Sequence, residues 1–294
     1  RGLPGYAAAS IARRPFLVGS SRVAHLIALL VLVSAAAFMV AGGGVRVGVG
    51  EVDRAEEPLR VLVFTKTAGY RHDSIPDGVR ALRELGEEHG FEVEHTEDAS
   101  IMNDADLARF GAVVFLSTTG NILDEEQQGA FERYIRGGGG FVGVHAASDT
   151  EYGWAWYGRL VGAYFLSHPE IQDAAIVVED REHASTGMLP ERWERRDEWY
   201  DFRESPRGEE GVRVLARLDE STYRGGRMGE DHPILWCREF EGGRSWYTAG
   251  GHTKESFAEP LFRASLARGI LWAAEGRRAT TEHTEDTEGE EETR

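Results

Sequence analysis

The chain has 294 residues, enough for one large domain or two, and its 41% hydrophobic and 28% charged residues are the ordinary balance of a soluble globular protein. A formal charge of −17 excludes a general nucleic-acid binder, which needs a basic face to displace counterions. The single cysteine, Cys237, excludes an intrachain disulfide, so the fold must rest on its core.

At the N-terminus Arg13, Arg14 and Arg22 precede an apolar run over 23–41 that only His25 and Ser34 interrupt. This is the charged-then-apolar order of an export signal, and ARRPFLV resembles a twin-arginine signal. The run is nearly long enough to cross a bilayer. Residues 1–57 therefore read as an export signal or an N-terminal membrane anchor, with a linker. The expected location is periplasmic or extracellular, or membrane-attached through 23–41.

From Leu59 the pattern becomes that of a folded domain, 58–275. LRVLVFT (59–65) is a short, almost continuous apolar run, as in a parallel strand buried on both faces. Val79, Leu82 and Leu85 share one face of a helix that ends at Gly90. FEVEHTE (91–97) alternates like a strand nearer an edge, and NDADLAR (103–109) reads as a short helix behind an asparagine cap. GAVVFLS (111–117) is a second buried strand. Asp124 caps a helix through Phe131, Tyr134 and Ile135, and GFVGVH (140–145) is a third buried strand. This alternation implies right-handed βαβ crossovers and a mostly parallel, three-layer doubly wound α/β sheet.

The second half is less regular. Strands are expected at 173–180, 211–219, 232–240 and 243–249, the last two forming a β-hairpin across Glu241-Gly242. A helix over 260–275 buries Leu261, Leu266, Ile270 and Leu271. Residues 276–294 read as an acidic, disordered, solvated tail.

In an open parallel sheet, ligands sit beyond the carboxyl ends of the strands. That rule selects three loops: 65–74 with Thr67, Tyr70, Arg71 and His72; 117–121 with Thr118 and Asn121; and 145–150 with His145 and Asp149. The last follows GGGGFV in a tight turn of small residues that resembles a nucleophile elbow. Class I glutamine amidotransferases place a cysteine there, whereas this chain places His145. Imidazole cannot form the stable glutamyl thioester, so glutaminase chemistry is disfavoured. Cys237, inside the apolar run PILWC, reads as core.

His145 can move a proton near neutral pH, bind a metal, or simply bond neighbouring backbone. With His72 and Asp149 it forms the expected catalytic set. His168 and His252 are the expected metal ligands, for a divalent ion such as zinc, although the spacing is not that of a compact metal motif. Trp154, Trp199 and Tyr200, with Glu198 beside them, suit the wall of a sugar cleft, where flat faces stack and a carboxylate binds hydroxyls. The alternative is that several of these aromatics are core.

FTKTAGYRHDSI (64–75), GGGFVGVHAASDTEYGWAWYGRLVGAYFLSHP (138–169), DEWYDF (197–202), MGEDHPILW (228–236) and YTAGGHTKESF (247–257) occur in an order that resembles the ThuA-like (trehalose utilisation) family. The resemblance implies a flavodoxin-like, amidotransferase-like fold. It also implies a place in bacterial catabolism of trehalose or related disaccharides, beside oxidation of a sugar to its 3-keto form. The function expected is therefore a hydrolase or lyase acting on a small saccharide. The alternative is a sugar-binding domain that kept the fold without the nucleophile.

Overall fold

The structure, a computed structural model, describes the backbone of residues 58–291 and the side chains of 58–276. The expected export signal, anchor and linker lie outside the described residues. Among the described residues no helix is long and apolar enough to cross a membrane.

The first half follows the sequence pattern: β1 (Leu59–Phe64), α1 (Ile75–His89), β2 (Phe91–Thr96), α2 (Asp104–Leu107), β3 (Ala112–Leu116), α3 (Glu125–Arg136) and β4 (Gly140–Val144). β3 and β4 are buried at every residue, while β2 buries only Phe91. That is the difference between central and edge strands. α1 begins a turn before its apolar periodicity, because Pro76 in the first turn pre-sets a helical φ. It ends where Gly90 takes φ +77° and donates its N–H to the Gly86 carbonyl. Burying Val79, Leu82 and Leu85 on that helix contributes about 1.5–3 kcal/mol each. α3 starts with a reciprocal cap, Asp124 and Gln127 each bonding the other's backbone.

The second half contains more elements than its hydrophobic pattern predicts. Expected strands appear as β6 (Gln172–Val178), β9 (Arg213–Asp219), β10 (Pro233–Phe240) and β11 (Gly243–Thr248). The hairpin turn has Glu241 at φ +48° and Gly242 at φ +99°, as a tight two-residue connection requires. Four elements are additions: α4 (Ala155–Val161), β5 (Phe165–Ser167), β7 (Arg192–Asp197) and β8 (Asp201–Phe202). β7 escapes a hydrophobicity reading because its buried face is Trp193, Arg195 and Asp197, two of them charged. α5 (Pro260–Glu291) runs past residue 275 into the segment expected as a disordered tail, where no proline interrupts the backbone hydrogen-bond ladder.

Among the described residues nine strands form one sheet in the order β2-β1-β3-β4-β11-β10-β9-β6-β7, parallel from β2 to β11 and antiparallel beyond. Strand alternation sends neighbouring side chains to opposite layers. Phe115 stacks on Phe131 of α3 and Tyr157 of α4, whereas Leu116 lies against Gly78 of α1. α5 packs with α1. The parallel strands β1, β3, β4 and β11 thus all end at the same edge of the sheet.

Candidate functional site

Two of these strand ends enter turns with unusual backbone. Ser117 after β3 has φ +49° and His145 after β4 has φ +52°, both in the left-handed region that side chains with a Cβ avoid. Such positions cost about 1–3 kcal/mol and persist only where the surroundings hold them. Here Tyr247 of β11 donates its hydroxyl to the His145 carbonyl at 2.7 Å, and the Ser117 N–H reaches the Val144 carbonyl at 3.1 Å. The elbow geometry raises a fully buried imidazole at the strand edge.

Four segments converge on it. His72 comes from the loop after β1, His145 from the elbow, His252 from the loop after β11, and Glu198 from the residue following β7. One donor atom from each lies within 4.8 Å of the others. His145 is held through Nδ1 by the Ala249 carbonyl at 2.8 Å, which leaves its Nε2 facing the cluster. That Nε2 is 3.1 Å from His252 Nδ1 and 3.5 Å from Glu198 Oε2, and His252 Nδ1 is 3.0 Å from the same oxygen. The other Glu198 oxygen, Oε1, is 3.0 Å from Nδ1 of His168, the most exposed histidine of the group.

Electrostatics sort the members. Burial works against a charged Glu198, but the hydrogen bonds and charge of His145 and His252 bring its carboxyl down to about 2. Burial, then the neighbouring His145 and His252, lowers His72 to about 3. Burial opposes protonation of His252, yet the hydrogen bond and charge of Glu198 raise it above the usual histidine value. Near neutral pH the cluster therefore holds a carboxylate and a neutral His72, the forms that ligate a metal.

The expected catalytic residues His72 and His145 and the expected ligands His168 and His252 thus gather around Glu198. Tyr200 tilts over His145 at 4.1 Å between centroids, and Tyr70, 65% exposed, meets His72 edge-on at 4.8 Å. Asp149 stands outside the donor group and accepts the Tyr152 hydroxyl at 2.6 Å. Arg71 reaches outward to Glu97, Asn121 is exposed, Thr67 pairs by backbone with Thr119, and Thr118 is buried against Thr150. Trp154 and Trp199 are corrections. Trp154 stacks in the core on Trp156 and Tyr157, and Trp199 is fully buried with its indole N–H on the Gln172 carbonyl. Both amphipathic rings found a partner inside and form no cleft wall.

Sequence reasoning missed what holds Glu198 and His252 in place. Asp197, fully buried, accepts the backbone N–H groups of Gly251 at 2.9 Å and Thr253 at 3.2 Å, the Ser256 hydroxyl, and Arg195 at 3.2 Å. It ties the end of β7 to the loop carrying His252. Glu151, a carboxylate of the metal-ligand type, serves the fold instead: it accepts the N–H groups of Ile122 and Leu123 and the Gln128 amide. A second group, Asp201, Glu220 and His232, has ligand chemistry too. There His232 bonds Glu220 through Nδ1 and the Tyr200 carbonyl through Nε2, so both ring nitrogens serve the fold.

The chain is similar in structure to a ThuA-like protein of Bacteroides uniformis, with TM-score 0.66, 25% identity, and coverage of 76% of this chain and 94% of that one. A ThuA-like protein of Parabacteroides merdae gives TM-score 0.63 at 22% identity, covering 75% and 91%. A cytoplasmic protein of Salmonella typhimurium shares the fold at TM-score 0.51 and 11% identity, covering 73% and 99%. No curated protein matches the chain. The family model described as ThuA, trehalose utilisation, matches residues 60–273, and the chain belongs to that family.

Proposed function

We propose that this protein is an enzyme of saccharide breakdown acting on a disaccharide or other glycoside that carries a ketone at C3, with His168 moving the proton. The observation that carries the reading is the His168–Glu198 pair: an imidazole 43% exposed whose Nδ1 is held by a buried carboxylate at 3.0 Å. A carboxylate on Nδ1 keeps the proton there and leaves Nε2 as the base.

A ketone at C3 acidifies the hydrogen on C2. Nε2 of His168 takes that proton, the electron pair forms a C1–C2 double bond, and the C1–oxygen glycosidic bond breaks. The same proton returns to the departing oxygen, so the step is redox-neutral and balanced. His72 and His145, buried, stand behind this exchange rather than in it. Tyr70, exposed and edge-on to His72, and Phe165, 4.3 Å from Tyr200 between centroids, offer apolar contact to a sugar face. The reading keeps the sugar substrate and the export expected from the sequence. Converging acid/base groups, with the tryptophans withdrawn to the core, favour it over a non-catalytic sugar-binding domain.

The test is incubation of the full chain with a 3-keto-disaccharide, following release of the free sugar and exchange of the C2 hydrogen in heavy water. His168→Ala is expected to lower kcat by roughly 10²–10⁴-fold with little change in KM. Absence of both exchange and release by the wild type would refute the proposal.

A further inference from the structure

We infer that His72, His145, His252 and Glu198 are the ligands of one divalent first-row transition-metal ion of the zinc type. The contacts among His145 Nε2, His252 Nδ1 and Glu198 Oε2 form a triangle with edges of 3.0, 3.1 and 3.5 Å. Ligand atoms about 2.0–2.1 Å from a common ion stand roughly 3.0 Å apart in an octahedron and roughly 3.4 Å apart in a tetrahedron. The triangle has the edges of a coordination polyhedron.

Hydrogen bonding accounts for part of the triangle and leaves His72 unexplained. His72 is 5% exposed, belongs to the same donor group within 4.8 Å, and its buried Nδ1 has no hydrogen-bond partner. Buried polar atoms in native folds normally have one. The three imidazoles also stand nearly perpendicular to one another, at 88°, 86° and 77° with centroids 4.8–5.1 Å apart. This arrangement is compatible with the donor atoms of all three rings lying within 4.8 Å of one another and of Glu198.

The surroundings are those of metal ligands. His145 is oriented by its Nδ1–H on the Ala249 carbonyl, and the second Glu198 oxygen is held by His168. Asp197, the residue before Glu198, fixes the loop of His252 through the Gly251 and Thr253 N–H groups. Three imidazoles and one carboxylate select a borderline first-row ion over magnesium or calcium, which prefer all-oxygen shells. The assignment shares only Glu198 with the saccharide reading and uses none of its chemistry.

The experiment strips the full chain with a chelator, dialyses the chelator away, and titrates with Zn²⁺ alone and then with Co²⁺ as a spectroscopic stand-in. The expected result is one ion per chain with a sub-micromolar Kd. Co²⁺ should show ligand-field bands distinct from the aquo ion, and Zn²⁺ should raise the melting midpoint by about 5 °C or more. His72→Ala and Glu198→Gln should each weaken binding by about 100-fold or more, while His183→Asn, outside the cluster, should leave it unchanged. An aquo-like Co²⁺ spectrum, or wild-type affinity in His72→Ala, overturns the assignment. Where a variant fails to fold, the wild-type Co²⁺ spectrum decides alone. A protein that binds the ion but turns over no 3-keto-glycoside supports this inference and refutes the proposed function.

Discussion

The two halves of the sheet contribute unequally to the cluster, three histidines from the parallel half and one carboxylate from the antiparallel half, and hold their residues by different physics. In the parallel half, His72 and His145 follow directly from the ends of β1 and β4, so the backbone pairing of those strands sets where they stand. From the antiparallel half comes Glu198, after β7, and a buried side-chain network centred on Asp197 joins it to the loop after β11 that carries His252. The lesson is that strand ends can be located by hydrophobic pattern, whereas a site residue fixed by buried charges cannot. The comparison also makes a mechanical claim, that the antiparallel side of the site depends on fewer groups and fails more completely when one is removed.

The largest effect should therefore come from Asp197. Asp197→Ala leaves the Gly251 and Thr253 N–H groups without their acceptor and takes one of two carboxylates from Arg195, whose side chain is only 4% exposed and keeps Glu259 at 2.8 Å. Each buried donor left unsatisfied costs about 1–3 kcal/mol, so the loss should reach about 3–5 kcal/mol. Urea unfolding should show a loss of that size, with Glu198 and His252 displaced while the His145 elbow stays. A loss below about 1 kcal/mol would end the claim that Asp197 organises this side.

The same contrast explains what was legible. Strands β1, β3 and β4 and helices α1 and α3 follow from apolar runs, caps and glycine stops, because burial on both faces demands continuous hydrophobicity. The rule that ligands gather at carboxyl ends then located His72 and His145. β7 was not legible, because Arg195 and Asp197 occupy its inward face and are compensated by each other rather than by hydrophobicity. Glu198 was named as a sugar contact for its aromatic neighbours. Its place as the centre of four histidines depends on a long-range approach that no local pattern encodes. Trp154 and Trp199 misled for the opposite reason: an indole beside charged residues resembles a binding wall until its N–H finds an internal acceptor.

A second, intermediate effect concerns acid. His183, in the connection between β6 and β7, packs against Trp272 of α5 and is buried. Burial first, then the charges of Arg213 and Arg244, outweigh the opposing Asp180 and lower it to about 4, against 6.5 in the unfolded chain. Between those values the unfolded state binds a proton that the folded state refuses, so stability rises with pH through the window. The contribution is fully present above pH 6.5 and is lost as pH falls toward 4, by up to about 3 kcal/mol. His183→Asn keeps an acceptor for the Ser185 N–H and should flatten the slope of unfolding free energy between pH 4 and 6.5 relative to wild type. Identical slopes would remove His183 from the acid sensitivity of the antiparallel half.

The smallest effect should lie in the parallel half, at Glu151. Its carboxylate bonds Ile122 N–H at 2.7 Å, Leu123 N–H at 2.8 Å and the Gln128 amide at 2.9 Å, a local arrangement beside α3. Glu151→Gln retains one carbonyl oxygen for the two backbone donors, because both use the same Oε1. The lost charge weakens those bonds, and the new amide meets Gln128 donor to donor until Gln128 turns its own amide over. Losing charge assistance while keeping geometry costs about 1–2 kcal/mol. Because His72 and His145 are set by strand ends and not by Glu151, metal affinity in Glu151→Gln should stay within about twofold of wild type. A stability loss as large as that of Asp197→Ala, or a collapse of metal binding, would show that the parallel half is held by buried charge as much as its counterpart is.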